Sequence, residues 1–177
     1  FYPENVITNR FLSDLDIGSS EEWIVERVGI RERRTVLPLD YIRATKNRDV
    51  RAAQEASLYT NGRTAAAAAR MALERAGLAA GDIGMVISGS SAPDVASPAE
   101  ASTVAAELGI DVPAFDMNSA CTSFALQVHF LSNLNPGALP PYILITQPEN
   151  LTRCLDYSDR RSACLFGDGS TAAVVSP

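Results

Sequence analysis

From Arg63 to Val175 the chain alternates small-residue helical patterns with short apolar runs, and this alternation restricts it to a layered α/β fold. Arg63–Ala76 (RTAAAAARMALERA) is built from strong helix formers and stops at Gly77; its five successive alanines suit close packing against a neighbouring sheet or helix. Pro98–Leu108 is a second helix, with proline near its first turn. Ile83–Ser88, Pro113–Met117, Tyr142–Thr146, Ala163–Phe166 and Thr171–Val175 read as five strands, bounded by breakers such as Gly89, Pro136-Gly137, Pro140-Pro141 and Gly167-Asp168-Gly169. The expected architecture is a mixed five-stranded sheet with helices on both faces, and loops at the strand ends are the natural place for a site.

One such strand end carries Cys121, in PAFDMNSACTSFALQVHFL (Pro113–Leu131), where an apolar strand pattern breaks into small polar residues and resumes as an apolar helix. A thiol at the first turn of a helix faces unpaired N–H groups and the positive end of the dipole, which favour thiolate. Ser119, Ala120, Thr122 and Ser123 would leave room for a substrate. The competing reading is a buried cysteine that acts only as a small hydrophobe.

Hydrophobic residues make up 46% of the 177, enough for one substantial core. A net charge of -6 with no basic stripe argues against nucleic acid as a partner, and Arg31, Arg33 and Arg34 form a short cluster suited to a local anion. Three cysteines without CxxC spacing and a single histidine argue against a disulfide framework and a zinc site, and fit a reducing cytoplasm. No apolar run approaches the length of a membrane span. Phe1 opens the chain without a signal peptide or an initiator methionine, which reads as a trimmed N-terminus.

Ser19 or Ser20 is positioned to cap a short helix over Glu21–Gly29 that places Trp23 and Arg27 one turn apart on one face. That pair either stacks a planar ligand or is a core tryptophan beside a solvated arginine. Between Arg31 and Asn61 the polar composition predicts loops with at most one short helix, so residues 37–62 are expected to be a polar excursion within a single half-domain spanning 1–177.

Four segments, FYPENVITN at the start, SSEEWIVERVGIRERR at Ser19–Arg34, PAFDMNSACTSFAL around Cys121 and DYSDRRSACLFGDGSTAAV at Asp156–Val174, resemble in order the N-terminal half of the β-ketoacyl-acyl carrier protein synthase III family of condensing enzymes. The resemblance implies a thiolase-like fold with a buried Cys-bearing helix. It also implies acylation of Cys121 by a thioester donor, dimerisation as a homodimer, and an acyl carrier protein as partner. No permanently bound cofactor is implied; coenzyme A or phosphopantetheine thioesters enter as substrates. Trp23 and Arg27 match the pair that meets the coenzyme A adenine, Arg160 a further nucleotide contact, and Ser19 a hydroxyl near the same nucleotide. The catalytic histidine and asparagine of the family belong to the second half of the fold, which this sequence stops before.

Two departures stand out. Arg161 replaces the glycine usual beside Arg160, a second cation that would meet a phosphopantetheine phosphate or an acidic carrier surface. Ser97 stands where the family places a phenylalanine that limits the primer, so a longer, bulkier or more polar acyl group than acetyl is expected unless another side chain fills the space. Together with the long 37–62 excursion, this points to a specialised-metabolite, polyketide-like relative. The implied chemistry is ping-pong acyl transfer with carbon–carbon bond formation. Variants of it are the pyrone-forming union of two carrier-bound β-keto chains, and acyl transfer to oxygen or nitrogen. A non-catalytic subunit of a heterodimer is the alternative of a different class.

His129 follows Cys121 by eight residues on the same expected helix, roughly 12 Å along the axis, and reads as a packed or capping residue. Cys154 and Cys164 match no functional position, and Asp168 is expected at most to orient backbone.

Overall fold

A computed structural model describes residues Phe1–Pro177. In chain order its strands and α-helices are β1 (Asn5–Thr8), α1 (Asn9–Asp14), α2 (Glu21–Val28), β2 (Glu32–Thr35), α3 (Leu39–Thr45), α4 (Val50–Ala56), α5 (Asn61–Ala76), β3 (Met85–Ser88), α6 (Glu100–Leu108), β4 (Ala114–Asp116), α7 (Ser123–Ser132), β5 (Ile143–Asn150), α8 (Arg160–Ala163) and β6 (Asp168–Val175). The chain divides into two compact units, one formed by Phe1, Asn61–Glu149 and Ser170–Pro177, the other by Tyr2–Thr60 and Asn150–Gly169. None of the helices is long and apolar enough to cross a membrane.

The first unit is a layered sheet. Strand order is β4-β3-β5-β6, with β3 parallel to both β4 and β5. Because successive strand residues face opposite sides, Val86 and Leu144 join Ala65, Ala69, Leu73 and Val104 of α5 and α6 on one face. Ile87, Ile143 and Ile145 meet Leu131 of α7 on the other. The alanines of α5 allow the close approach predicted for them: a side chain at Gly62 would come within 3.0 Å of the Thr103 hydroxyl on α6. Asp116, at the end of β4, accepts from the backbone N–H groups of Glu100 (2.7 Å) and Ala101 (2.8 Å), and so caps α6.

The sheet has four strands, not the five expected. Ala163 ends α8 and Leu165 donates its N–H to the Ser162 carbonyl at 3.0 Å, so the apolar run Ala163–Phe166 is a helix end and turn rather than a strand. Ala163 and Cys164 enter a core while Leu165 and Phe166 stay exposed, a short apolar run whose period does not separate strand from helix.

The second unit contains the two-stranded antiparallel ribbon of β1 and β2, neither read as a strand from the sequence. The charged β2 (ERRT) conceals its strand character because Arg33 is buried, its Nε donating to the Cys164 carbonyl at 3.0 Å and its Nη1 to Asn9 Oδ1. The arginine cluster is therefore not a free anion site: Arg33 holds backbone, and Arg34 lies 3.8 Å from Glu32. Residues 37–62 are not loops either. They hold α3 and α4, the latter capped by Asp49, which accepts from the Arg51 and Ala52 N–H groups at 2.9 and 3.2 Å. The buried residues Ile42 and Ala53 supply too few apolar positions for a visible period. Between the two helices, Asn47 donates to the carbonyls of Thr152, Arg153 and Leu155 at 2.9–3.1 Å.

Candidate active site

Cys121 lies in a 3-10 turn between β4 and α7, and its thiol is exposed. Ala120, just before it, has φ +46°, a left-handed conformation that costs a non-glycine residue free energy and persists only where surrounding bonds fix it. Those bonds are present. Asn118 Oδ1 accepts from the Ala120 N–H at 2.9 Å, and the Ser119 carbonyl accepts from the Thr122 N–H at 3.0 Å and the Thr122 hydroxyl at 2.8 Å. Ser123 was expected to leave room for a substrate. It is buried instead, its hydroxyl accepting from the Ser119 N–H at 2.8 Å.

The helix that follows is not buried in this chain, contrary to expectation. Phe124, Leu126 and Val128 are 50%, 37% and 38% exposed, so α7 carries large apolar side chains open to solvent on both sides of its buried Ser123, Gln127 and Leu131 face. A groove of about 320 Å³ continues from that helix, lined by Val128, Leu131, Leu134, Leu139, Ile143 and Val175. His129 is exposed at the far end of α7 rather than packed, and its carbonyl accepts from Asn133 Nδ2 at 2.7 Å. Ser97 is exposed in the loop between β3 and α6, joined to Pro98 by a cis peptide bond.

In the second unit, Ser20 rather than Ser19 caps α2, accepting from the Trp23 N–H at 3.2 Å, and Gly29 closes the helix with φ +79°. Trp23 is 36% exposed. The cation over its ring is Arg160, 5.1 Å from the ring centre, while Arg27 lies exposed in the last turn of α2. Arg160 Nη1 also donates to the Gly18 carbonyl at 2.8 Å, which brings Trp23, Arg160 and the neighbourhood of Ser19 together. Arg161 turns to Asp159, with Nε 3.0 Å from Oδ1 and Nη2 2.9 Å from Oδ2, and these hydrogen bonds hold the Asp159 carboxyl below its ordinary range. Cys154 is exposed and Cys164 buried, its thiol pushed up by desolvation.

Asp168 does more than expected. Its buried carboxylate accepts from the N–H groups of Val36 (2.7 Å) and Thr152 (2.8 Å) and from the Thr152 hydroxyl (2.5 Å), tying three segments of the second unit to one side chain. Two further residues escaped sequence reasoning: Gln127, fully buried on α7, and Glu100, buried at the start of α6. Gln127 had a signal, a lone amide four residues after Ser123 in an otherwise apolar helix.

The fold of the whole chain matches solved structures. The structure of 3-oxoacyl-[acyl-carrier-protein] synthase III from Aquifex aeolicus matches 100% of this chain and 51% of its own, with TM-score 0.83 and 30% identity. Over its whole length this chain is similar to a synthase III. The priming β-ketosynthase from the R1128 polyketide biosynthetic pathway matches 100% of the synthase III-like chain and 47% of its own, with TM-score 0.79 and 30% identity. A curated relative, β-ketoacyl-[acyl-carrier-protein] synthase III of Chlamydia caviae, is 35% identical over 176 residues, 99% of this chain and 47% of its own length. The family described as 3-Oxoacyl-[acyl-carrier-protein (ACP)] synthase III matches residues 115–177, which begin in β4 and include the Cys121 bend. The synthase III-like chain thus spans about half the length of the curated relatives it matches, and its fold class is the layered thiolase-like α/β arrangement.

Proposed function

We propose that this chain supplies the cysteine-bearing half of a condensing acyltransferase. The observation that carries the reading is Cys121, an exposed thiol on a tied bend between a parallel strand and a helix. In the reaction, the Cys121 thiolate attacks the carbonyl of an acyl thioester and expels the donor thiol, leaving a cysteine thioester. The α-carbon of a second thioester, made nucleophilic by decarboxylation or deprotonation, then attacks that carbonyl; a carbon–carbon bond forms and the Cys121 thiolate leaves. Backbone N–H groups at the bend, that of Cys121 among them, are the proposed donors to the tetrahedral oxyanion.

The donor and acceptor are proposed to be acyl carrier protein or coenzyme A thioesters, with the protein a cytoplasmic homodimer in fatty-acid or polyketide biosynthesis. The Arg160 guanidinium over the Trp23 ring, bonded to Gly18 next to Ser19, supports a nucleotide or pantetheine contact there, and Arg27 on the same helix as Trp23 is proposed to join it. Arg161 is paired with Asp159 at 2.9 Å, so it is proposed to contribute less to phosphate binding than Arg160. Ser97, small and polar on an exposed loop, supports an acyl group larger or more polar than acetyl.

Intact-mass measurement of the full chain after incubation with acyl thioesters of graded length tests the reading. An adduct that disappears in Cys121→Ala is expected; no adduct with any coenzyme A or carrier-bound donor would end it. Exclusive labelling by acetyl would remove the role given to Ser97.

A further inference from the structure

We propose that Ser123 and Gln127 are positioning residues for the Cys121 thiol: from one buried face of α7 they hold the backbone of the bend that presents it. The proposal rests on the reading of Cys121 as the acyl-carrying residue and adds how this chain aims it.

Both residues are buried, at 2% and 0% exposure, on a helix whose remaining early positions, Phe124, Ala125, Leu126 and Val128, are exposed. Four residues apart, they share one face. A leucine at 127 would fill similar space without burying an amide, so the amide is informative through what it bonds. Gln127 Nε2 donates to the Met117 carbonyl at 3.0 Å, and its Oε1 accepts from Gln147 Nε2 at 2.6 Å. Gln147 Oε1 in turn accepts from the Thr171 hydroxyl at 2.9 Å. The line of bonds runs from β6 through β5 and α7 to the end of β4.

Met117 is the point where the chain leaves the sheet: its N–H still bonds the Ser88 carbonyl at 2.7 Å, while its own carbonyl turns to Gln127. Two residues later the Ser123 hydroxyl takes the Ser119 N–H, and it lies 3.1 Å from Asn118 Oδ1 and 2.8 Å from the Ala120 carbonyl, either of which can receive its single proton. Met117, Ser119 and one of Asn118 and Ala120 are therefore tied to α7 at a time, which contributes to holding left-handed Ala120. The sheet closes on the same pair. A Cβ added at Gly89 would lie 2.8 Å from each of Gln127 Nε2, the Met117 carbonyl oxygen and Ser123 Cβ.

The test uses the full chain in a Cys154→Ala background, which leaves Cys121 as the one exposed thiol of the three cysteines here. Ser123→Ala, Gln127→Met and Gly89→Ala are compared with their parent at a temperature well below each melting midpoint. Two readouts are the alkylation rate of Cys121 by iodoacetamide and the single-turnover acylation rate against thioester concentration. The expected result is a fall of tenfold or more in the saturating acylation rate of Ser123→Ala and Gln127→Met, with the half-saturating concentration within twofold and alkylation slowed in parallel. Rates within twofold of the parent in folded Ser123→Ala overturn the proposal, even if Gln127→Met or Gly89→Ala fails to fold. A parent that alkylates at Cys121 yet never acylates ends the acyl-carrying reading instead, and the variants' alkylation rates still decide this one.

Discussion

Glu100 sits 3% exposed in the first turn of α6, its Oε2 accepting from Asn61 Nδ2 at 2.8 Å and from the Asp94 N–H at 3.3 Å. Desolvation pushes its carboxyl up to about 7, with Asn61 opposing and the nearby Asp94 and Asp116 charges adding to the rise. A carboxyl raised in the folded state binds more protons folded than unfolded, so its contribution is present below the unfolded value of 4.5 and lost as pH climbs to about 7. Glu100→Gln should flatten the urea-unfolding stability between pH 4.5 and 7 and stabilise the protein above pH 7, by at most about 3 kcal/mol. At the other end of the residue scale, Arg160→Ala should raise the half-saturating coenzyme A thioester concentration severalfold while Arg161→Ala changes it less, measured by the same acylation assay. Cys121, Trp23 and Arg160 were visible as candidates in the sequence because each sits inside a segment with a strong resemblance. Ser123 and Gln127 were not, because their importance lies in which backbone atoms they meet, and a serine in a run of small residues looks like vacant space.

Elements with a regular period were read well in part: α5 stops at Gly77 and β3 and β4 fall within expected apolar runs, whereas β5 runs on past Thr146 to Asn150 and β6 begins at Asp168, inside the expected turn Gly167-Asp168-Gly169. Where a segment takes its form from a distant partner, the reading failed. Strand β2 pairs with β1 and can bury Arg33 because that side chain finds the Cys164 carbonyl 131 residues away, and no local pattern encodes that. Two element-level outcomes follow from the caps and close approaches. Ser20→Ala removes the acceptor for the Trp23 N–H and should cost about 1 kcal/mol in urea unfolding. Gly167→Ala should cost about 1–3 kcal/mol, because the new Cβ would lie 2.9 Å from Arg33 Cβ and 3.1 Å from the Arg34 carbonyl oxygen, neither of which can rotate away.

Among the exposed large apolar residues, Phe124, Leu126, Val128 and Leu134 gather on or just after α7 and Leu165 and Phe166 precede β6, while Tyr2, Val50, Leu58, Met71 and Val95 are spread along the rest of the chain. Patches of this kind mark surfaces that function covers or that aggregate. Expressed as these 177 residues alone, the chain should bind anilinonaphthalene sulfonate in native buffer, and Leu126→Glu with Val128→Glu should abolish most of that fluorescence; a dark parent would contradict the open face. The division into units carries another consequence. The backbone passes between them at residues 1–2, 60–61, 149–150 and 169–170, so neither unit is a continuous stretch. During synthesis, Arg33, Val36 and Asn47 leave the ribosome more than a hundred residues before the carbonyls and carboxylate they bond at Thr152–Asp168. At ordinary elongation rates of about 5–20 residues per second, that leaves the first third of the chain waiting on the order of ten seconds before the partners of its arginine and asparagine are made. The amino-terminal unit is thus the first to be made and among the last to close, and that interval is when a chaperone would find it.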